Sequence, residues 1–413
     1  MRFGLKLIAA CSVLACASGA LAQQGQTVKI AMIEGLSGPM GNVGTNQLKS
    51  WQYVAQHLTA AENPAGVKFE IVPMDSKSSP QEALNQLKSA VDQGIHYVAQ
   101  GNGSNVALPL ADAVGKNNER NPGKEVLYMN YAAVDPASTN EKCNYWHFRF
   151  DADTSMKMAA LTNFMKDQKN VHKIYLINQN YSHGHQVAKY FKEGIERNRP
   201  DVKIVGEDYV ALGQVKDFAP YVAKMKTAGA DTLVTGSWGQ DFTLLVKAMN
   251  DAGMSIPIYA YYAGVSGTPT ALAQGKNAEV YQISYGHSNM TGRLGELENG
   301  FKAQFNDDFY TYAVYNALHA LSTAMAKAKS TDPVKVAPAL EGLRFTGFNG
   351  EDAQMRATDH QLQMGMWISK WQKVDAKNKY NVENTGYTFA PVKYLEPYIA
   401  STPTSCQMKR PGK

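Results

Sequence analysis

Residues that could carry out catalysis or bind a metal are scarce in this sequence. It contains no GxxxxGK[ST] phosphate loop, no GxGxxG turn, no HExxH and no GxSxG. His183 and His185 flank a glycine and could both bind a metal, but no further ligand stands at a suitable spacing. A solvated turn before a helix is the better interpretation of this pair. We therefore expect no catalytic residue, no metal and no cofactor.

A glycine-rich turn offers a place where an anion could bind. Gly101-Asn102-Gly103-Ser104-Asn105 follows a predicted strand and precedes a predicted helix. Its backbone N–H groups, the Ser104 hydroxyl and the helix N-terminus together suit a carboxylate. Such turns between a strand and a helix also occur for geometric reasons alone, so both interpretations stay open at this point.

The elements around this turn alternate between short apolar strands and amphipathic helices. Val28–Ile33 is typical of a buried strand, and Ser79, Pro80 and Glu82 form the start signal of a helix. The same alternation restarts after Arg149, which gives two successive α/β units at about 27–148 and 149–275. Repeated strand–helix–strand units predict parallel sheets covered on both faces. Ligands of such sheets bind beyond the carboxyl ends of the strands.

Composition excludes some broad classes of protein. The chain has 413 residues, of which 44% are hydrophobic and 19% charged, with a formal net charge of +5. This length and apolar content predict two or three folded domains and exclude global disorder. The small positive excess gives no indication of nucleic-acid binding.

The first 22 residues have the pattern of a secretory signal peptide. Arg2 and Lys6 form a positively charged n-region, residues 5–14 are a mostly apolar stretch that overlaps its end, and Ala20-Leu21-Ala22 is a small-x-small cleavage site. A membrane anchor is the alternative, but the apolar stretch is too short to span a bilayer comfortably. We expect cleavage after Ala22 and a periplasmic location. Cys143 and Cys406 then remain in an oxidising compartment, and we predict a disulfide between them, with two unpaired thiols as the alternative.

Several separated segments resemble one family in the same order along the chain. They are Gly35-Leu36-Ser37-Gly38-Pro39, Ala132-Ala133-Val134-Asp135-Pro136, Asn180-Tyr181-Ser182-His183-Gly184, the segment 311–317 and the segment 356–361. Across about 27–370 the chain resembles periplasmic substrate-binding proteins of the branched-chain amino acid (leucine/isoleucine/valine-binding) type.

The resemblance implies an α/β fold of two Rossmann-like lobes joined by three crossover segments, the type I periplasmic binding fold. Lobe 1 would comprise 23–148 and about 276–355, lobe 2 would comprise 149–275 and about 356–378, and 379–413 would be a C-terminal extension. It also implies a monomeric, non-enzymatic receptor that passes a small molecule to the membrane permease of an ABC transporter. A ligand-sensing module of the same fold is an alternative, and an esterase using Ser104 is a weaker one.

The resemblance also implies a ligand site. Ser104 falls where a hydroxyl binds the ligand carboxylate, and Ala132 falls where a backbone carbonyl receives the ligand ammonium. The expected ligand-binding residues are Ser104, Asn105, Ala132, Ala133, Val134, Tyr181, Trp238, Tyr262 and Ala263.

Two of these positions depart from the family pattern. Val134 stands where the family has a threonine, and Ala263 stands where a glutamate pairs with the ammonium. No acidic residue lies between Asp251 and Glu279, and Asp241 is the nearest alternative. Because an ammonium buried without an anion costs several kcal/mol, we expect an aromatic or keto carboxylate as ligand. A branched-chain or other amino acid is the alternative.

Overall fold

The computed structural model describes residues 23–275 and 279–412. The predicted signal peptide, residues 1–22, lies outside these ranges. Within them, no helix is long and apolar enough to cross a membrane.

Strands and helices alternate through most of the chain, as the sequence predicts. The β-strands are Thr27–Glu34 (β1), Lys68–Asp75 (β2), Tyr97–Gln100 (β3), Leu127–Asn130 (β4), His147–Arg149 (β5), Lys173–Gln179 (β6), Lys203–Val210 (β7), Thr232–Thr235 (β8), Ile258–Ala260 (β9), Val280–Ser284 (β10), Arg344–Thr346 (β11), Asp352–Met355 (β12), Leu362–Gln363 (β13), Met366–Lys373 (β14) and Tyr387–Leu395 (β15). The α-helices are Gly41–His57 (α1), Pro80–Asp92 (α2), Ser104–Arg120 (α3), Thr154–Met165 (α4), Ser182–Asn198 (α5), Ala219–Thr227 (α6), Gly239–Asp251 (α7), Thr268–Gln274 (α8), Gly292–Phe305 (α9), Ala313–Ala328 (α10), Pro333–Leu340 (α11) and Pro397–Ala400 (α12). Short 3-10 helices span Pro136–Thr139 and Val382–Asn384.

The first sheet forms the centre of lobe 1. Its five strands are parallel and run in the order β2-β1-β3-β4-β5. Ile30, Met32 and Ile33 in β1 are all fully buried, as expected for a central strand covered by helices on both faces. At the start of α2 the Ser79 hydroxyl accepts a hydrogen bond from Glu82 N at 3.4 Å, with Pro80 in the first turn. The start signal predicted for this helix is therefore confirmed.

The second sheet forms the centre of lobe 2. Its seven strands run in the order β15-β14-β10-β9-β8-β6-β7. The strands from β10 to β7 are parallel, whereas β14 is antiparallel to both β10 and β15. The expectation of parallel sheets therefore holds except at this edge. A third, small antiparallel sheet contains β11, β12 and β13.

The lobe boundaries differ in two places from those suggested by the sequence. The chain stays in lobe 2 through β10, because Val280 and Ile283 are buried there and β10 pairs with β9. The change of lobe therefore follows Ser284 rather than lying near residue 276. The C-terminal extension is not a separate unit either, because its strand β15 completes the second sheet.

The last residues run from lobe 2 back to lobe 1. Helix α12 packs against α4 of lobe 2, and Thr404 Oγ1 then donates to the Thr139 carbonyl of lobe 1 at 2.6 Å. Cys143 and Cys406 form a disulfide with their Cα atoms 5.7 Å apart. This disulfide is the one predicted from the sequence, and it links the C-terminal tail covalently to lobe 1.

We predict that losing this disulfide destabilises the protein. A cross-link between residues 263 positions apart restricts the unfolded chain, so replacing both cysteines by serine should lower the free energy of unfolding by about 3–5 kcal/mol. Urea unfolding with and without reductant measures this. Reductant should lower the urea concentration at the unfolding midpoint of the wild type and should not change that of the Cys143→Ser/Cys406→Ser variant. An unchanged wild-type midpoint would contradict the prediction.

Candidate functional site

A cavity lies between the two lobes, beyond the carboxyl ends of the parallel strands. It has about 730 Å³ of empty space, the solvent at its mouth included. Both lobes contribute to its wall. The lining residues are Val43, Gln47, Gly101, Asn102, Gly103, Ser104, Tyr131, Ala132, Ala133, Val134, Asp151, Tyr181, His183, Trp238, Tyr262, Gly264, Val265, Gln282, Tyr285, Tyr310, Thr311, Tyr312 and Ala313.

One end of the cavity contains several hydrogen-bond donors that have no acceptor among the described residues. Helix α3 begins at Ser104, directly after Gly103, whose φ of 84° favours glycine. Ser104 Oγ accepts from Asp135 N at 3.2 Å, so its own hydroxyl hydrogen is left for another acceptor. Neither Ser104 N–H nor Val134 N–H donates to any of the described residues. These donors and the α3 N-terminus suit a carboxylate.

The cavity also contains an acid that the sequence analysis did not assign to it. Asp151 follows β5, where the chain first crosses between the lobes, and it lines the cavity. Its Oδ2 lies 3.0 Å from Nζ of the buried Lys157. That ammonium sits over the ring of Tyr261 at 4.1 Å. Burial lowers the pKa of Lys157, while the neighbouring Asp151 opposes this shift. The site therefore does contain a carboxylate, and that carboxylate already has one cationic partner.

Aromatic side chains form much of the remaining wall. The Trp238 indole N–H donates to the Tyr181 hydroxyl at 2.8 Å, which leaves the Tyr181 hydroxyl hydrogen free to donate. Tyr262 Oη of lobe 2 donates across the cleft to the Ala132 carbonyl of lobe 1 at 3.2 Å. The other aromatic lining residues are Tyr131, Tyr285, Tyr310 and Tyr312.

Contacts at the mouth show that the lobes are closed on each other. Met40 and Val43 of lobe 1 form one buried apolar cluster with Trp238 and Val265 of lobe 2. Such a cluster can exist only while the cleft is shut. The structure therefore presents the closed arrangement of the site.

Most of the residues expected from the sequence meet in this cavity. Ser104, Ala132, Ala133, Val134, Tyr181, Trp238 and Tyr262 all line it.

Three other candidate residues lie outside its wall. Asn105 follows Ser104 on α3 and lines a separate outer groove with Leu108, because adjacent helical residues point in different directions. Ala263 is fully buried in the lobe 2 core, and the next residue, Gly264, lines the cavity instead. Asp241 is also buried behind the wall, where it accepts from Gln179 Nε2 at 2.8 Å.

Several polar lining residues were not assigned to the site from the sequence. They are Gln47, Asn102, Asp151, His183, Gln282 and Thr311. Four of them carried a signal that could have been used. Asn102 belongs to the glycine-rich turn, Asp151 lies at the first crossover, and His183 and Thr311 lie in segments that carry the family resemblance. Gln47 and Gln282 reach the cavity from α1 and β10, where no motif marks them.

His183 is buried in the first turn of α5 and does not lie in the solvated turn expected from the sequence. Its Nε2 lies 3.1 Å from the Gly236 carbonyl and its Nδ1 lies 3.1 Å from Thr154 Oγ1. Burial lowers the pKa of His183 to about 4, so the ring is neutral near pH 7. Within 23–275 and 279–412 there is no cluster of three or more residues that could hold a metal ion.

Comparisons with known proteins agree with this architecture. A family model described as periplasmic binding protein matches residues 27–378. Leu/Ile/Val-binding protein homolog 4 of Brucella abortus (strain 2308) is 30% identical over 417 residues, which covers 98% of this chain and 97% of that protein.

Two solved structures share the fold. The closed leucine-, isoleucine-, valine-, threonine- and alanine-binding protein of Brucella ovis has a TM-score of 0.78 and 28% identity, and covers 94% of this chain and 100% of its own. A solute-binding protein of an ABC transporter from Rhodopseudomonas palustris HaA2, in complex with p-hydroxybenzoic acid, has a TM-score of 0.74 and 18% identity, and covers 90% and 98%. The resemblance seen in the sequence is confirmed: the chain belongs to the Leu/Ile/Val-binding family of type I periplasmic binding proteins, the non-enzymatic solute-binding components of ABC transporters.

Proposed function

We propose that this protein binds a small α-amino acid with an apolar side chain in the interlobe cavity and delivers it to the permease of an ABC importer. The observation that carries this proposal is the presence, in one closed cavity, of an anion-binding turn and the Asp151 carboxylate. At neutral pH an α-amino acid carries a carboxylate, which suits the turn, and an ammonium, which suits Asp151.

The carboxylate of the ligand has a defined place in this proposal. The Ser104 hydroxyl and the N–H groups of Ser104 and Val134 have no protein acceptor among the described residues. A carboxylate can accept several such bonds at once. Replacement of the family threonine by Val134 removes a hydroxyl here but keeps the backbone donor.

Asp151 supplies the anion for the ligand ammonium. The argument for a ligand without an amino group rested on the alanine at position 263 and on the lack of an acid near it in the sequence. The cavity does have an acid, because Asp151 reaches it from the first crossover, so that argument no longer excludes an amino group. Its pairing with Lys157 uses Oδ2 at 3.0 Å, and an anionic oxygen can accept more than one hydrogen bond.

The rest of the cavity suits an apolar side chain. Val43, Val265 and Ala313 line it together with the aromatic rings. The names of the similar Brucella proteins, which refer to leucine, isoleucine and valine, support this ligand class.

An aromatic carboxylate is the second candidate. Seven tyrosine and tryptophan side chains line the cavity, and flat rings pack well against such walls. Lys157 also neutralises Asp151 locally, which reduces the need for a cationic group on the ligand. The Rhodopseudomonas palustris protein that binds p-hydroxybenzoic acid shares the fold at 18% identity.

The cellular setting belongs to the same proposal. Cleavage after Ala22 would release the protein into the periplasm, where a monomeric receptor would meet the permease in its closed form. A sensing module of the same fold remains the competing role. Proximity of the gene to permease genes or to a sensor kinase gene distinguishes the two.

We predict that L-leucine, L-isoleucine or L-valine stabilises the protein against heat. At a ligand concentration 100-fold above Kd, the free energy of unfolding should rise by about 2.7 kcal/mol. Thermal unfolding and titration calorimetry with these amino acids, benzoate and 4-hydroxybenzoate measure this. Stabilisation by the aromatic acids alone would replace the proposed ligand class with the second candidate.

We also predict that Asp151→Asn weakens amino acid binding at least tenfold, or about 1.4 kcal/mol, because it removes the charge that faces the ammonium. Binding of 4-methyl-2-oxopentanoate, the keto analogue of leucine, should change much less. Asp112→Asn, an exposed site on α3 that pairs with Lys116, serves as the matched control.

Asp151→Asn also leaves Lys157 buried without its anion, which destabilises the fold. The companion Asp151→Asn/Lys157→Met variant separates stability from binding. If either variant is folded and binds leucine as tightly as the wild type, Asp151 does not pair with the ligand ammonium as proposed.

A further inference from the structure

We propose that Tyr262 widens the range of ligands that the closed cavity accepts, because its hydroxyl donates to the Ala132 carbonyl and so replaces the donor that a ligand ammonium would supply. The cavity then binds 2-oxo acids, which carry a carbonyl oxygen in place of the amino group, as well as the corresponding α-amino acids. The inference rests on the proposed function, since it concerns the same carboxylate site and adds a second class of ligand to it.

The Ala132 carbonyl belongs to the loop that supplies a proposed carboxylate donor. Ala132 stands two residues before Val134, both residues line the cavity, and Ala132 is partly exposed. The carboxylate and the ammonium of an α-amino acid are attached to one carbon atom, so the groups that bind them must be neighbours. The Ala132 carbonyl is therefore an acceptor on the cavity wall next to the carboxylate site.

The side chain of Asn130 holds this loop in place. Asn130 is fully buried at the end of β4. Its Oδ1 accepts from Ala133 N at 2.8 Å, and its Nδ2 donates to the Ala133 carbonyl at 2.8 Å. The neighbouring Ala132 carbonyl takes no part in these bonds, and no described residue of lobe 1 donates to it.

The one donor to this carbonyl among the described residues comes from the other lobe. Tyr262 Oη lies 3.2 Å from the Ala132 oxygen. A carbonyl oxygen can only accept, so the direction of the bond is fixed: the tyrosine hydroxyl donates. Because the bond joins the two lobes, closure of the cleft supplies a donor to the carbonyl whether or not the ligand has an amino group.

Neighbouring side chains hold the ring of Tyr262 in position. The ring centroids of Tyr262 and Tyr261 are 4.4 Å apart, and Nζ of Lys157 lies 5.1 Å from the centre of the Tyr262 ring. Tyr262 also packs against the apolar cluster at the mouth of the cleft. All of these contacts are made by protein groups, so the hydroxyl reaches the carbonyl without help from a ligand.

The second acceptor for an ammonium also has a partner within the protein. Asp151 Oδ2 lies 3.0 Å from Nζ of Lys157. A ligand without an amino group therefore leaves neither Asp151 nor the Ala132 carbonyl unpaired, which is the cost that normally excludes such a ligand from a site built for a donor. Carbonyl and carboxylate oxygens can each accept more than one bond, so the ammonium of an amino acid is also accepted.

The test compares L-leucine with 4-methyl-2-oxopentanoate by titration calorimetry. In the wild type we expect the Kd of the keto acid to lie within about 100-fold of that of leucine, and a wider gap would overturn the inference. In Tyr262→Phe the Ala132 carbonyl loses its donor, which the leucine ammonium can replace and the keto acid cannot. The ratio of the keto acid Kd to the leucine Kd should therefore rise by at least about fivefold, and an unchanged or lower ratio would overturn the inference.

Two further tyrosine variants serve as controls. Tyr310→Phe removes another hydroxyl that is bonded across the cleft, where it accepts from Ser266 Oγ at 3.3 Å. It should weaken both ligands by the same factor, and a rise in the ratio as large as that in Tyr262→Phe would overturn the inference. Tyr398→Phe, at a position on α12 that is 78% exposed, should change neither Kd. Thermal unfolding without ligand checks that each variant is folded.

The outcomes separate this inference from the proposed function. If leucine binds the wild type and the keto acid does not, the inference fails and the proposed function stands. If the keto acid binds and leucine does not, the proposed amino acid ligand is wrong. The role of Tyr262 then stands if Tyr262→Phe weakens the keto acid by at least about fivefold and fails if it does not.

Discussion

The buried guanidinium of Arg149 holds together the segments that connect the two lobes and the loop that forms part of the cavity wall. It lies at the end of β5 and is fully buried. It donates to the Asp135 carbonyl at 2.6 Å, to Asp153 at 2.9 Å and to Gln361 at 2.5 Å, and also to the hydroxyls of Ser138 and Thr139. These partners belong to the loop after β4, to the first crossover and to the late return between the lobes. A buried charge without such partners costs several kcal/mol, so the three segments stay together.

The groups proposed to bind the ligand are attached to this framework on both sides. Val134 immediately precedes the loop that Arg149 holds, and Asp151 follows Arg149 by two residues. The Val134 N–H and the Asp151 carboxylate, proposed to bind the two ends of an amino acid, are thus positioned by the same buried charge. Closure adds the lobe 2 wall, through the bond from Tyr262 to the Ala132 carbonyl and the apolar cluster around Trp238. A ligand that contacts both lobes stabilises this closed state relative to an open one.

The regular parts of the fold could be predicted because their causes are local. The apolar runs and start signals of β1 and α2 depend on neighbouring residues, and the parallel direction of most strands follows from the repeated strand–helix–strand pattern. The role of residues 379–412 could not be predicted, because β15 is defined by pairing with β14 and not by its own pattern. The place of β10 was missed for the same reason: a strand near 281–285 was evident, but only its partners assign it to a sheet.

The sequence by itself determined the family, the alternation of elements and the glycine-rich turn that begins the helix at Ser104, since each of these resides in short stretches of chain. Only the tertiary structure decided the electrostatics of the cavity. Asp151 lies far in sequence from Ala263, yet it brings a carboxylate to the cavity, and Lys157 balances it at 3.0 Å. Charge and hydrogen-bond polarity act through space, so an acid missing at one position of the sequence does not determine what faces the ligand.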